Sequence, residues 1–480
     1  MRFIDTADCE NEVRAIDAII NDISSDGGLY VPSSFPIIEG DFFARLIEAD
    51  AEERVSLLLS LFIDEVPFDV LEEIASGALD GGGDVDVVKV EEGLYLAETW
   101  HGDTCCGDDF ASRLYVGLVG EALKARSDGK KEAVAILCVD DDISFAKAFD
   151  RRENASALVF YSKAMGYASH QLLLNDCGES FYPVAVKAHV IDVGKTLDGI
   201  LKDVADDGDG YMLCKMSNVN VIRIIASMIK SICAYCDLVE SEEIGFGDKI
   251  NFATSSVEDA LSLYYASKMG LPVNKIIVGA NINNAIADFI STGEFSLNKQ
   301  AYKTLSPRLD RVDVANTERL LFETLERDEL LFNEKVECLR LNGEFSIDEP
   351  VPSIFEAGWA DEEDTKDAIS TFFDLDDYLM DTHTGVCASV YNDYSCETDD
   401  ETVAVLLSSY NPCLFAKQTL AGIGIKEKDE KRAVWKLQNA TAIECPDALA
   451  DVPDADDVRV VEQSEMKDIV LRFLSRYKGE

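Results

Sequence analysis

Two short groups of residues combine side-chain types at spacings that could do chemistry. Cys233 and Cys236 form a C-x-x-C pair, a spacing used in metal binding and thiol–disulfide exchange. They lie in an apolar, helix-like run without a second cysteine pair or a flanking histidine, so we interpret them as packing residues. The run of acids at 140–142 offers the oxygen ligands that magnesium or calcium prefers. The spacing of a calcium loop is missing there, so we favour a capping or solvent-exposed role and predict no metal site.

The elements that must position such side chains alternate between strand and helix. Helices are predicted at 143–149 and 257–269, and Gly270 followed by Pro272 is a usual signal for the end of the second helix. Buried strands separated by helices predict a mostly parallel sheet with helices on both faces. The apolar runs of strand length are 133–139, 155–161, 183–191, 249–254, 275–278 and 403–408.

Composition excludes several classes of protein. The 480 residues carry 92 acids against 43 bases, a formal net charge of −49. A chain this acidic repels nucleic-acid phosphates and anionic membrane surfaces. Because 47% of its residues are hydrophobic, it can bury a large core and is not a disordered acidic tail. The length predicts two or three domains.

Location and redox state are predicted from three further features. The first 18 residues have neither a basic region nor an apolar run, so we expect no signal peptide. The apolar stretch 219–234 contains Arg223 and Lys230 and is too short to span a bilayer. The thirteen cysteines are an odd number without a regular framework, which favours reduced thiols in a cytoplasmic protein.

Several segments, in order and well spaced, resemble bacterial-type threonine synthase, a fold-type II pyridoxal-phosphate (PLP) enzyme related to the tryptophan synthase β-subunit. Residues 26–32 (Asp-Gly-Gly-Leu-Tyr-Val-Pro) match its N-terminal signature, and residues 100–104 (Trp-His-Gly-Asp-Thr) are similar to its Phe-His-Gly-Pro-Thr. The other matching segments are 160–163, 218–223, 268–272, 381–384 and 408–415. The resemblance covers nearly the whole chain.

The resemblance implies PLP-dependent conversion of O-phosphohomoserine into threonine. In that family a lysine shortly after the His-Gly-Pro-Thr turn forms the Schiff base with the cofactor, and this chemistry requires an amine. Aligned without a gap, that position is Asp108 in this sequence. We therefore predict that PLP is not bound and that the chain is a catalytically inactive member of the family.

The two phosphate loops of the family are also altered. The family's Thr-Gly-Asn-Phe-Gly, which surrounds the cofactor phosphate, corresponds to Thr254, Ser255, Ser256, Val257 and Glu258. Its Ser-Gly-Asp-Thr-Gly corresponds to residues 138–142, Cys-Val-Asp-Asp-Asp. Glycine lets the backbone approach a phosphate, and a β-branched valine does not. We predict a capping box between Ser255 and Glu258, and a pocket that repels phosphate through Asp103, Asp108, the acids at 140–142 and Glu258.

Other positions of the family pattern are retained. The resemblance places Ser409 against the pyridine nitrogen of the cofactor, and His101 and His383 are interpreted as ordering residues rather than catalysts. An ion pair is the favoured role for Lys163 and Arg223 in so acidic a chain. The positions that resemble contacts to the substrate are Lys163, Asn220, Arg223, Cys138, Asp140 and Asp141.

Three hypotheses follow for function. The first is an inactive threonine synthase-like protein, the second an active enzyme in which Lys124 or Lys147 replaces the lysine, and the third a cation-binding protein that uses the acidic pocket. We expect an α/β fold of fold type II, with two parallel-sheet α/β domains and a helical N-terminal region. The expected bounds are 1–85 for the N-terminal region, 86–129 with 210–480 for the large domain and 130–209 for the small domain. We also expect a monomer or homodimer.

Overall fold

The computed structural model describes residues 1–125, 132–139, 143–150, 152–204, 210–450 and 458–477. The strands, in chain order, are β1 (Arg2–Asp5), β2 (Glu12–Arg14), β3 (Tyr30–Pro32), β4 (Asp86–Glu91), β5 (Leu94–Glu98), β6 (Glu132–Val139), β7 (Ala155–Ser162), β8 (Phe181–Val186), β9 (Tyr211–Cys214), β10 (Ile250–Thr254), β11 (Val273–Ala280), β12 (Glu294–Ser296), β13 (Glu344–Ser346), β14 (Phe355–Trp359), β15 (Ala404–Ser408) and β16 (Val460–Val461).

The α-helices, in chain order, are α1 (Ala15–Asn21), α2 (Gly40–Glu48), α3 (Ala51–Phe62), α4 (Phe68–Leu79), α5 (Asp108–Ala125), α6 (Ser144–Ala148), α7 (Tyr167–Leu174), α8 (Val190–Val204), α9 (Val221–Glu240), α10 (Val257–Met269), α11 (Ala285–Thr292), α12 (Thr317–Thr324), α13 (Glu329–Asn342), α14 (Glu362–Asp376), α15 (Thr382–Thr398), α16 (Ala416–Gly422), α17 (Glu430–Thr441), α18 (Asp447–Ala450) and α19 (Met466–Leu474). Single 3₁₀ turns occur at Pro307–Leu309, Pro412–Phe415 and Gln463–Glu465.

The N-terminal region contains a small sheet as well as the expected helices. Strand β1 pairs antiparallel with both β2 and β3, which gives the order β2-β1-β3. Each of these strands has only three or four residues. Strands this short lack the alternation over four to eight residues that identifies a strand in a sequence, and the expectation of a purely helical region missed them.

The larger sheet has the order β14-β11-β10-β15-β5-β4. Strand β10 pairs parallel with β11, for example Phe252 with Ile276, and on its other side pairs parallel with β15. Only β4 runs antiparallel among the strands described in this sheet. The predicted parallel pairing of the segments 249–254 and 275–278 is confirmed.

The smaller sheet has the order β16-β8-β7-β6-β9, with parallel pairs throughout the described strands. Both edge strands of this sheet lie outside the predicted segment 130–209. Strand β9 begins at Tyr211, and β16 comes from the far C-terminal part of the chain. The predicted strand 183–191 was too long, since β8 ends at Val186 and α8 begins at Val190. Helix α19 packs on this sheet through a separate apolar cluster that includes Ile469 and Phe473.

Helix α9 lies at the centre of the larger domain, and most of its side chains are buried. It packs against α5 on one side and α10 on the other. Ser256 caps the N-terminus of α10, and Gly270 ends that helix with a φ of +111°. The helix predicted at 257–269 is thus confirmed. The N-terminal turns of α5, α9 and α10 are brought together, since Arg223 of α9 contacts both Asp108 of α5 and Glu258 of α10.

Candidate functional site

A cavity of about 210 Å³ lies where the carboxyl ends of β5, β10 and β15 meet the helices α5, α9 and α10. In open α/β sheets, ligands bind outside the carboxyl ends of the strands. Of the predicted site residues, the cavity is lined by Asp108, Arg223, Ser409 and the run Thr254, Ser255, Ser256, Val257 and Glu258. It is smaller than the roughly 300–1,000 Å³ usual for ligand pockets.

Arg223, in the first turn of α9, bridges two carboxylates across the cavity. Its Nη2 donates to Asp108 Oδ1 at 2.6 Å, and its Nε donates to Glu258 Oε2 at 2.8 Å. The side chains of Arg223, Asp108 and Glu258 are 10%, 18% and 16% exposed, so water screens these contacts little. The ion pair predicted for Arg223 is therefore present, and its partners are Asp108 and Glu258.

The two carboxylates of this bridge have opposite pKa shifts. Burial is the largest influence on Asp108 and would raise its pKa, but the charge and hydrogen bond of Arg223 outweigh it, so that the pKa is lowered. For Glu258 burial dominates over Arg223 and, with repulsion from Asp108 and Asp259, raises the pKa to about 7. Asp108 is thus held as a carboxylate, while Glu258 changes protonation near neutral pH.

The run 254–258, which was expected to correspond to the family's phosphate loop, makes hydrogen bonds within itself and to Asp259. Thr254 Oγ1 accepts from Ser256 N at 3.0 Å and donates to Asp259 Oδ2 at 3.0 Å. Ser256 Oγ accepts from Asp259 N at 3.3 Å. The predicted capping box between Ser255 and Glu258 was therefore wrong: Ser256 is the cap, and the glutamate contacts Arg223 instead. Burial raises the pKa of Asp259, which also lines the cavity.

Lys230 is a cavity residue that the sequence analysis did not propose for the site. It lies seven residues after Arg223 on the same face of α9, and its side chain is 8% exposed. Its Nζ donates to Thr99 O at 3.0 Å and Gly107 O at 3.1 Å, and lies 5.3 Å from the centre of the Phe110 ring. Burial lowers the pKa of Lys230 to about 8. The sequence signal was a lysine within an apolar helix at helical spacing from Arg223.

The cavity contains basic side chains beside the acidic ones that were predicted. Arg308 and Arg311 line it together with Arg223 and Lys230. Asp103, predicted to repel phosphate, is 63% exposed and pairs with Arg113 at 2.5 Å. Asp140 and Asp141, with Asp142, lie outside the described residues. The cavity is therefore not a uniformly acidic pocket, because bases accompany its acids.

Other predicted site residues lie elsewhere. Asn220 is buried and caps α9, with its Nδ2 donating to Ile19 O at 2.8 Å and its Oδ1 accepting from Ile222 N at 3.0 Å. Lys163 is exposed after β7 and does not line the cavity. Cys138 Sγ contacts Val190 O at 3.9 Å and faces a wider cleft between the two sheets.

The two histidines near the cavity have neighbours that order them. His383 Nδ1 lies 2.8 Å from Asp381 Oδ1, and its Nε2 accepts from Arg308 N at 3.2 Å. These partners assign the neutral tautomer with the proton on Nδ1. His101 Nε2 lies 2.9 Å from Glu98 Oε2, and this hydrogen bond raises the pKa of His101.

The cysteines follow the prediction in part. Cys233 and Cys236 are buried on α9, where burial raises the pKa of both thiols, as expected for packing residues. Cys413 and Cys445 form a disulfide, which corrects the expectation that every cysteine is a free thiol. Their 32-residue separation follows no framework spacing that would have indicated the bond. The described residues include no helix with the length and apolar character needed to cross a bilayer.

The known proteins that this chain is similar to include threonine synthases and threonine synthase-like proteins. Residues 2–79 match the family model described as threonine synthase N terminus. The chain is 24% identical to threonine synthase of Corynebacterium glutamicum over 95% of this chain and 97% of that protein. It is 26% identical to human threonine synthase-like 1 over 88% of this chain, but spans only 60% of that protein.

Solved structures agree on the fold. A PLP-bound threonine synthase from Brucella melitensis superposes with a TM-score of 0.84 over the full length of both chains, at 19% identity. The yeast enzyme gives a TM-score of 0.84 over 99% of each chain, at 18% identity. The architecture is that of the fold-type II PLP enzymes. The N-terminal match and the relatives that align over most of the chain make it similar in sequence to threonine synthases, and its fold is theirs.

Proposed function

We propose that this chain keeps the threonine synthase fold but does not convert O-phosphohomoserine into threonine. The observation that carries the proposal is the bridge from Arg223 to Asp108 and Glu258. It joins the position of the family's Schiff-base lysine to its phosphate loop by an internal ion pair. The groups that would contact a cofactor are thereby bonded to one another.

The first support is the chemistry at position 108. A carboxylate cannot condense with an aldehyde, whereas the family reaction needs an amine there. The adjacent guanidinium of Arg223 lowers the pKa of Asp108 and holds it in the charged form. No rotamer of an aspartate supplies the missing nitrogen.

The second support is the lack of fit between the α10 N-terminus and a phosphate. Ser256 already caps the helix, and the Glu258 and Asp259 side chains lie in its first turn. A phosphate placed there would meet carboxylates, and one unit-charge pair about 4 Å apart costs about 4 kcal/mol at an effective dielectric of about 20. The residues present therefore do not fit the cofactor phosphate.

The contacts of the described residues also bear on the other hypotheses. Lys124 is 72% exposed and pairs with Glu121, and Lys147 pairs with Asp150, so neither supplies an amine to the cavity. An active enzyme would have to use Lys230. The bonding of Asp108 and Glu258 to Arg223 leaves them poorly suited as cation ligands.

The proposal is tested by cofactor binding and turnover together. The protein is titrated with PLP, reduced with borohydride and mapped by peptide mass spectrometry, and phosphate release from O-phosphohomoserine is followed in parallel. We expect no saturable, stoichiometric pyridoxyl–lysine adduct and no phosphate release above a blank. A saturable, stoichiometric pyridoxyl–lysine adduct or phosphate release above the blank would refute the proposal.

Matched variants separate the two supports. Asp108→Lys restores the amine alone, Asp108→Asn controls for loss of the charge, and Asp108→Lys with Val139→Gly and Glu258→Gly also opens the phosphate loops. We expect saturable PLP binding only in the triple variant. Binding by Asp108→Lys alone would show that the phosphate-loop argument is wrong.

A further inference from the structure

Lys230 is a buried amine that the proposed function does not use. It lines the cavity, and no carboxylate of the described residues lies within ion-pair distance of its Nζ. Its two described hydrogen-bond acceptors are the backbone carbonyls of Thr99 and Gly107. A buried lysine without a direct carboxylate partner is costly to keep charged.

The geometry suits a neutral amine. A neutral ε-amino group has two N–H donors and one lone pair, and the two carbonyls account for both donors. The tetrahedral nitrogen then directs its lone pair away from the carbonyls. Burial lowers the pKa of Lys230 to about 8 against the opposing charges of Asp108, Asp109 and Asp259, so much more of this amine is neutral at pH 8 than in an exposed lysine. For an ordinary lysine the neutral fraction is less than about one per cent.

We propose that the cavity binds a small 2-oxo acid and that Lys230 forms an imine with its carbonyl carbon. The volume of about 210 Å³ is enough for a compact ligand. Arg308 and Arg311 line the same cavity, and an arginine guanidinium matches a carboxylate. A desolvated lysine is the usual protein nucleophile for carbonyl compounds.

The step balances without an oxidant or reductant. The nitrogen lone pair attacks the carbonyl carbon and forms the C–N bond while the C=O π bond breaks, and one amine proton is transferred to the oxygen. The second amine proton is then transferred to the hydroxyl, which leaves as water as the nitrogen lone pair forms the C=N bond. The Glu258 carboxyl lines the cavity and, with its pKa raised to about 7 by burial, can carry these protons.

The test uses pyruvate and acetone, two ketones that differ by a carboxylate. The full chain at pH 8 is incubated with either probe and cyanoborohydride, which transfers hydride to the imine carbon and fixes it as a secondary amine. Peptide mass spectrometry then gives the ratio of labelling at Lys230 to labelling at the exposed Lys249 of the same sample. This internal ratio cancels the different reactivity of the two ketones.

We expect a ratio of about ten or more with pyruvate and a clearly lower ratio with acetone. Lys230→Arg should abolish the adduct on its peptide and leave Lys249 labelling unchanged. Arg311→Gln replaces an exposed arginine and leaves Arg308 in place, and it should lower the pyruvate ratio towards that of acetone.

A pyruvate ratio of one or less would overturn the proposal and leave Lys230 as a structural donor to Thr99 and Gly107. An unchanged ratio in Arg311→Gln would overturn the assignment of a 2-oxo acid. The result is independent of the proposed function, because PLP adducts and phosphate release are read separately. Pyruvate labelling of Lys230 can therefore succeed or fail whatever those measurements give.

Discussion

Replacing Arg223 by glutamine should destabilise the protein strongly, and more so at higher pH. The variant keeps a polar side chain of similar length but removes the charge shared by Asp108 and Glu258. Breaking a buried ion pair by deleting one partner costs about 3–5 kcal/mol, because an uncompensated charge remains buried. We expect a loss of that size at pH 8.

The pH dependence follows from the direction of each shift. Arg223 lowers the pKa of both carboxyls, so its removal raises both. A raised carboxyl pKa means that the folded state binds protons more readily than the unfolded state, and stability then falls as pH rises through that range. Protonation at pH 5.5 removes part of the buried charge. We therefore expect the loss caused by Arg223→Gln to fall to about half or less of its value at pH 8.

Urea unfolding followed by circular dichroism at pH 5.5 and pH 8 measures both values. The matched control is Arg45→Gln, which breaks the pair with Glu53 where the two side chains are 56% and 39% exposed. Such an exposed pair should contribute less than about 1 kcal/mol. Adding Asp108→Asn and Glu258→Gln to Arg223→Gln should recover most of the loss. An Arg223→Gln effect no larger than the control, or equal at both pH values, would refute the reasoning.

Four other outcomes are expected. Since burial raises the pKa of Glu258 to about 7, the parent should lose stability relative to Glu258→Gln as the pH rises from 5 to 8, by about 1–2 kcal/mol in urea unfolding. Cys413→Ser should lower stability by about 4 kcal/mol through the 32-residue loop closed with Cys445, and dithiothreitol should lower the thermal midpoint of the parent alone. Asp381→Asn weakens the contacts to His383 and should cost about 2 kcal/mol in the same urea assay. With a net charge of −49, the thermal midpoint should rise with added sodium chloride before levelling off; an unchanged midpoint would show that the acids are already paired.

The order of the motifs predicted the architecture well, because long periodic segments carry strong signals. The helix 257–269 ends at Gly270 as predicted. A glycine in the left-handed region ends a helix by local backbone geometry, so this signal is present in the sequence itself. The three short strands of the N-terminal region carry no such signal, because each has only three or four residues and is held by pairing with the other strands of its sheet.

The candidate site was predicted less completely, because its chemistry depends on which side chains meet. The alignment placed Asp108, Arg223 and Glu258 at family positions, but only the folded chain shows one guanidinium bonded to both acids. The predicted cap at Ser255 was one residue early, since several serines and acids there offer equivalent patterns. Lys230 was not proposed for the site because its contacts are the carbonyls of Thr99 and Gly107, which are distant in sequence.

The positions of β16 and α19 near the end of the chain determine when the smaller sheet can be completed during synthesis on the ribosome. Domains usually fold as units while the chain is made from its N-terminus. Strands β6, β7 and β8 emerge early, but the partner at the β8 edge and the apolar face of α19 are translated only after nearly all of the larger domain. Until then the nascent smaller sheet exposes an unpaired edge and part of its core. Chaperones that shield such edges should therefore bind this chain longest during synthesis of its second half.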